Sequence, residues 1–409
     1  MSVAEALPLT RRMLLGGLGC ACCAGIAGTA QARIRPADMA PLVGPGHRPQ
    51  DKDEQGLWQQ YERVEQEIAG SNLLVRDPAL ESYVRSLAGR VGGPAAADLR
   101  VYLARVPEFN AFIAPTGFMV VFSGLMLRMR DEAQLAGMVG HEAGHFLRRH
   151  QIRAWRDMKR KSAALSFLAV GAGVGGAATG VYAGDLVRLT HTGLILSLFA
   201  YSRELEAEAD AMGLKQMAHG GYDPAAVPET WQQLTEEIEA SAAMRRKRPR
   251  RGYSLLASHP APEQRMVDLR ASAREVTGLA TAERGRERYL QAISGHRKGW
   301  LDDQVKLNDP GASLYLIRNL AKDGWNGLLR FYEGEVWRLR GQKGDGVLAG
   351  NSYAAAIAHA DAPAEAWRAH GQQLIREGRG EEGKAALRRY LALSPNAPDA
   401  LMVRHTLGQ

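Results

Sequence analysis

His141-Glu142-Ala143-Gly144-His145 is the stretch of this sequence whose residue types and spacing can do chemistry. Residues four apart on an α-helix share a face, so both imidazoles reach one metal ion with Glu142 beside them. Neutral imidazole nitrogen is a good zinc ligand, and a hydrolytic zinc site has three protein ligands and one position left for water. The ion lowers the pKa of that water from 15.7 towards about 7 and polarises a carbonyl. The Glu142 carboxylate would take the water's proton and pass it to a leaving amine. Val139, Gly140 and Gly144 give this helix a small, apolar surface, which suits close packing rather than solvent.

A third ligand is required. A third histidine completing such a motif would fall at Gln151, and His150 comes one position early. It is expected instead at the helix C-terminus, where a partial cation interacts favourably with the dipole. The acidic run Glu204, Glu206, Glu208, Asp210 offers two pairs at i, i+4: Glu204 with Glu208, and Glu206 with Asp210. Spacing leaves both open. Either pair would put one carboxylate on the metal and a second behind it to orient a histidine.

The elements that must position these groups are legible in outline. Leu57, Tyr61, Val64 and Ile68 recur at helical spacing, and a second helix follows Asp77-Pro78. Leu99 to Val106 alternates as a strand, and two short apolar runs, Ala111 to Ile113 and Phe118 to Phe122, flank Pro115-Thr116-Gly117. A helix from about Asp131 to His150 carries the motif. Another runs from about Ser202 to a glycine stop at Gly220-Gly221. Beyond about Ala273 the chain is helical again and echoes itself: Trp337-x-x-x-Gly341 recurs as Trp367-x-x-x-Gly371, followed by Leu374, Gly383, Leu387 and Pro395. Those offsets resemble a degenerate tetratricopeptide repeat, whose helix pairs bury their faces by stacking. The expected fold is mainly α with a small antiparallel β-sheet, as a metalloprotease domain over 54–272 and a helical, tetratricopeptide-like domain over 273–409.

Composition narrows the class. The 409 residues carry 52 Lys plus Arg against 44 Asp plus Glu, a net charge of +8. That is too mild for a nucleic-acid partner without a clustered basic face. Cys20, Cys22 and Cys23 are the only cysteines, so no disulfide, cysteine-ligated zinc or thiol nucleophile exists beyond residue 23. Arg11-Arg12, an apolar Gly- and Ala-rich stretch and Ala30-Gln31-Ala32 have the layout of a twin-arginine signal peptide over 1–32. Gly17 stands where a lipidation site wants Leu. A leader over 33–53 follows, and export to a bacterial periplasm is expected. Residues 163–184 carry no charge and are long enough to cross a bilayer, as a span or as a buried or membrane-facing hairpin. Met244 to Gly252 is strongly basic and reads as a solvated loop or a contact for anionic lipid.

The motif His141-Glu142-x-x-His145, followed some 60 residues later by Ser-Arg-x-x-Glu-x-x-Ala-Asp, resembles the HtpX and CAAX-prenyl-endopeptidase family of gluzincin zinc proteases. Asn110-Ala111-Phe112, Gly124-Leu125 and Ser258-His259-Pro260 with Glu263 and Arg265 agree with it, and the layout is similar to the family's periplasmic branch. The resemblance implies Glu206 as third ligand, Asp210 as its supporting carboxylate, one zinc per subunit, and Asn110-Ala111-Phe112 as a peptide-binding edge strand. His259 is a candidate for oxyanion stabilisation, loop capping or a fourth, site-closing ligand. Arg265 is expected to pair with an acidic residue near the cleft. The function this implies is endoproteolysis of unfolded or misassembled envelope polypeptides, with the repeats reaching outer-membrane assembly machinery. The rival readings are a chaperone or adaptor acting through the repeats, and a membrane-embedded protease.

Overall fold

The computed structural model describes residues 33–165, 201–245, 263–276 and 282–409. The expected signal segment, residues 166–184 of the uncharged stretch, the basic run beyond Arg245, and His259 lie outside the described residues. Among the described residues no helix is long and apolar enough to cross a membrane.

Helix α1 (Lys52–Ala69) opens on Asp51, whose side chain accepts from the Glu54 backbone N–H. Helix α2 (Pro78–Val91) opens on Asp77, with proline at the first helical position, where an N–H would have no partner in the helix. Strands β1 (Arg100–Ala104), β2 (Ala111–Ile113) and β3 (Phe118–Phe122) form one sheet in the order β1-β3-β2. The sheet is mixed rather than antiparallel. A tight turn at Pro115-Thr116-Gly117, with Gly117 at φ 88°, makes β2 and β3 an antiparallel hairpin, while β1 pairs parallel with the other edge of β3. Alternation along a strand reveals its faces and not its direction relative to neighbours, so sequence could not supply this. Every residue of β3 is buried. Phe118, Val120 and Phe122 pack with Tyr61 and Phe112 on one side, and Met119 and Val121 join the main core on the other.

After the short helix α3 (Ser123–Arg128), Asp131 caps α4 (Glu132–Leu147), every residue of which is buried. The helix expected to run on to His150 breaks at Arg149, a non-glycine residue at φ 55°, held by Gln50 and Glu54. His150 therefore begins α5 (His150–Leu165) instead of ending α4, and the expected C-terminal dipole contact is replaced by a buried position at a helix start.

Helices α6 (Arg203–His219), α7 (Ala226–Arg245) and α8 (Glu263–Val276) complete the first part of the chain. Then follow α9 (Arg286–Lys306), α10 (Pro310–Leu320), the pair α11 (Gly327–Arg340) and α12 (Asp345–Ile357), the pair α13 (Ala364–Arg376) and α14 (Gly380–Leu393), and α15 (Ala400–Thr406). The tryptophan echo does not mark equivalent places. Trp337 sits in the last turn of α11 with Gly341 as its left-handed cap, whereas Trp367 sits in the first turn of α13 and Gly371 lies inside it. The equivalent positions are Gly334 and Gly371, each the eighth residue of its helix. Each lets the partner helix approach: Tyr353 in the first pair, Gly383 in the second.

The main core runs unbroken from α2 and α4 through Tyr289, Trp300, Leu314 and Tyr332 to Ala369, and residues 34–409 form one compact unit. Charged side chains reinforce the junction. Buried Arg128 forks onto Glu237 at 2.7 and 2.9 Å and reaches Gln304 of α9 at 2.9 Å. Glu132, at the head of α4, accepts from Tyr83, Tyr222 and both arms of Arg288. A chain ended at Val276 is expected to lose cooperative thermal unfolding in calorimetry, because it strips α9 and α10 from that core, while one ended at Ala362 keeps it. Equal transitions in both would refute this.

Candidate metal centre

Helices α4 and α6 cross at a point where neither has room for a side chain. A Cβ on Gly144 would lie 2.7 Å from the Ala209 carbonyl oxygen, and one on Gly213 would lie 2.9 Å from the His141 backbone nitrogen. The glycine inside the histidine motif is thus required by the approach of the second helix. Gly213→Val is expected to cost about 1–3 kcal/mol by overpacking, read as a lower unfolding temperature together with weakened zinc binding. A variant matching wild type in both would show that the two helices can separate freely.

The crossing brings three donors together. Nε2 of His141 and of His145 are 3.1 Å apart, and the Glu206 carboxylate oxygens lie 3.7 Å from the first and 3.5 Å from the second. Donors about 2.0–2.1 Å from the centre of a tetrahedron are about 3.3 Å apart, so these three spacings suit zinc. All three residues are at most 3% exposed, and together they form a group able to hold a metal ion. Two neutral imidazoles and one carboxylate is also the donor set of a hydrolytic zinc site. Glu142 is buried beside them.

Behind the donors stands an ion-paired layer. Asp210 Oδ1 lies 2.9 Å from His141 Nδ1, which fixes the ring with Nε2 toward the centre. Arg265 forks onto Asp210 at 2.7 and 2.8 Å, reaches Glu206 at 2.8 Å, and its guanidinium lies 4.3 Å over the Trp231 ring. Burial alone would raise the Asp210 carboxyl, but Arg265 and His141 outweigh it and hold it well below the usual carboxylate range. Of the two carboxylate pairs that spacing left open, Glu206 and Asp210 face the imidazoles. Glu208 turns the other way, to Arg148, Arg153 and His150, and is likewise held low despite burial. Glu204 is exposed.

Sequence reasoning missed several neighbours. Tyr201 stacks on the His145 ring at 4.0 Å, and its hydroxyl is pushed well above its ordinary value by burial and then by the charge of Glu142. Gln151 hydrogen-bonds Tyr201 and donates to the Ile113 carbonyl of β2 at 3.0 Å. His150, five residues beyond His145, is fully buried against it, and burial lowers its pKa in opposition to Glu208. Neither an i+5 spacing across a helix break nor a distant tryptophan carries a periodic signal. Asn110, Ala111 and Phe112 are buried at the start of β2, an outer strand of the sheet that packs beside α4.

Residues 75–273 match the family model described as Peptidase family M48. The chain is 30% identical over 215 residues to the Beta-barrel assembly-enhancing protease of Escherichia coli (strain K12), a match covering 51% of this chain and 42% of that protein. It is 28% identical over 221 residues to the protein of the same name from Yersinia pestis, at 53% and 43% coverage. To the Mitochondrial metalloendopeptidase OMA1 of Arabidopsis thaliana it is 35% identical over 134 residues, at 33% and 25% coverage. The chain therefore spans less than half the length of these curated relatives.

Proposed function

Residues 75–273 are a Peptidase family M48 domain, and from that premise we propose that the chain is a zinc-dependent endopeptidase in which His141, His145 and Glu206 hold the ion and Glu142 is the general base. The observation that carries this reading is the convergence of the three donors, at tetrahedral spacing, beside a buried carboxylate. Zinc supplies Lewis acidity that makes water a nucleophile near neutral pH. Glu142 accepts the proton of the attacking water and returns it to the departing amine nitrogen. Asp210 keeps His141 aimed, and Arg265 keeps Asp210 charged and holds Glu206 in place.

Strand β2 is the proposed substrate edge. In its antiparallel ladder with β3, Asn110 and Phe112 turn their backbone groups inward, so those of Ala111 point away from β3, where an extended peptide can pair. Backbone pairing gives affinity with loose sequence preference, which suits unfolded polypeptides as a substrate class. The relatives' printed name and the expected export signal over 1–32 support a proposed role in the envelope: removal of misassembled outer-membrane proteins in the periplasm. In this reading the helices beyond the expected 272/273 boundary recruit substrate or assembly machinery, and His259 is a candidate to stabilise the oxyanion, cap a loop or close the site as a fourth ligand.

Full-length protein should bind one zinc and cleave casein. A chelator should abolish cleavage, and stoichiometric zinc should restore it. Protein that folds but takes up no zinc, or cleaves equally after chelation, would overturn the proposal.

A further inference from the structure

The two histidines differ in what stands behind them. His141 Nδ1 meets a carboxylate directly, at Asp210. His145 Nδ1 meets another imidazole: His150 Nδ1 lies 2.9 Å away, and His150 Nε2 lies 3.3 Å from Glu208 Oε2. Glu208 is in turn gripped by Arg148 at 2.8 Å and Arg153 at 2.7 Å. Resting on the metal-site reading above, we infer that His150 and Glu208 are positioning residues for His145, a relay that delivers a carboxylate's influence to the metal through two imidazoles.

The donor and acceptor order follows from the geometry. If Nε2 of His145 presents its lone pair to the ion, Nδ1 carries the proton and donates it. His150 Nδ1 must then accept, so His150 carries its proton on Nε2 and donates to Glu208, an acceptor-only group once ionised. Each link has one permitted direction, and reversing any of them takes the lone pair off His145 Nε2. Tyr201, stacked on His145 at 4.0 Å, holds the ring plane while the relay sets its rotation. Glu206, Glu208 and Asp210 all lie on α6, so one helix supplies a ligand and the terminal anchor of both ligand histidines.

The test is zinc affinity of the full-length chain, by competition with a chelator of known affinity, with folding checked by circular dichroism of the metal-free proteins. His150→Phe keeps an aromatic ring against Tyr201 but removes both nitrogens, and should weaken zinc binding roughly 10–100-fold. Glu208→Gln should weaken it by a smaller factor. The double variant should be no weaker than His150→Phe alone, because Glu208 acts only through His150. Affinity within about twofold of wild type in a folded His150→Phe protein, or losses that multiply fully in the double variant, would overturn the relay. Should His150→Phe fail to fold, unchanged affinity in Glu208→Gln would overturn it. Wild-type protein that binds no zinc would instead remove the metal-site reading underneath.

Discussion

Glu142→Gln is expected to leave zinc content and folding intact and to reduce casein cleavage by about 10²–10⁴-fold, the usual range for loss of a positioned general base. Gln matches Glu in size, so the buried space beside His141 and His145 stays filled. The amide cannot take a proton from water, nor return one to the amine. The effect should fall on kcat, because the carboxylate acts in the transition state more than in peptide binding. The same variant separates catalysis from scaffolding. If cells carrying it keep every benefit of the wild-type gene, the work is done by binding alone and the endopeptidase reading fails. Retained cleavage would remove Glu142 from the mechanism.

Arg265→Ala is expected to cost about 3–5 kcal/mol in the metal-free protein, because it strands partners that have no access to water. Its guanidinium contacts Asp210 through two nitrogens and Glu206 through the third, and covers the Trp231 ring. Removal leaves two buried carboxylates facing each other across His141. Zinc would partly offset the loss by neutralising Glu206, so the deficit should be larger in chelator than in zinc. Denaturant unfolding under both conditions reads the difference. A cost below about 1 kcal/mol in each would mean that the carboxylates find water or protons instead.

How much of this was readable in advance follows from what each signal encodes. The motif helix and the acidic helix were visible because helical periodicity and donor chemistry are local. Spacing alone does not say which carboxylate pair faces the histidines, since Glu204 with Glu208 and Glu206 with Asp210 are identically spaced, and it is the family resemblance that points to Glu206 with Asp210. Only the rotation of α6, fixed where Gly140 meets Gly213 and Gly144 meets Ala209, decides it. No glycine or proline marks the break at Arg149; long-range pairs to Gln50 and Glu54 hold the strained residue. Strand order in the sheet and the Arg128 and Glu132 junctions are likewise tertiary facts. The tryptophan echo is a shared residue pattern without a shared place in the helix: Trp337 lies in the last turn of α11, whereas Trp367 lies in the first turn of α13.

Arg288 stands far along the chain, yet it closes the cluster around Glu132 at the head of the histidine-bearing helix. A ribosome builds the polypeptide from the other end, so the candidate metal site is translated well before the residue that completes this cluster. About 140 residues separate His145 from Arg288, so on a nascent chain the head of the histidine-bearing helix waits for a segment made long after it.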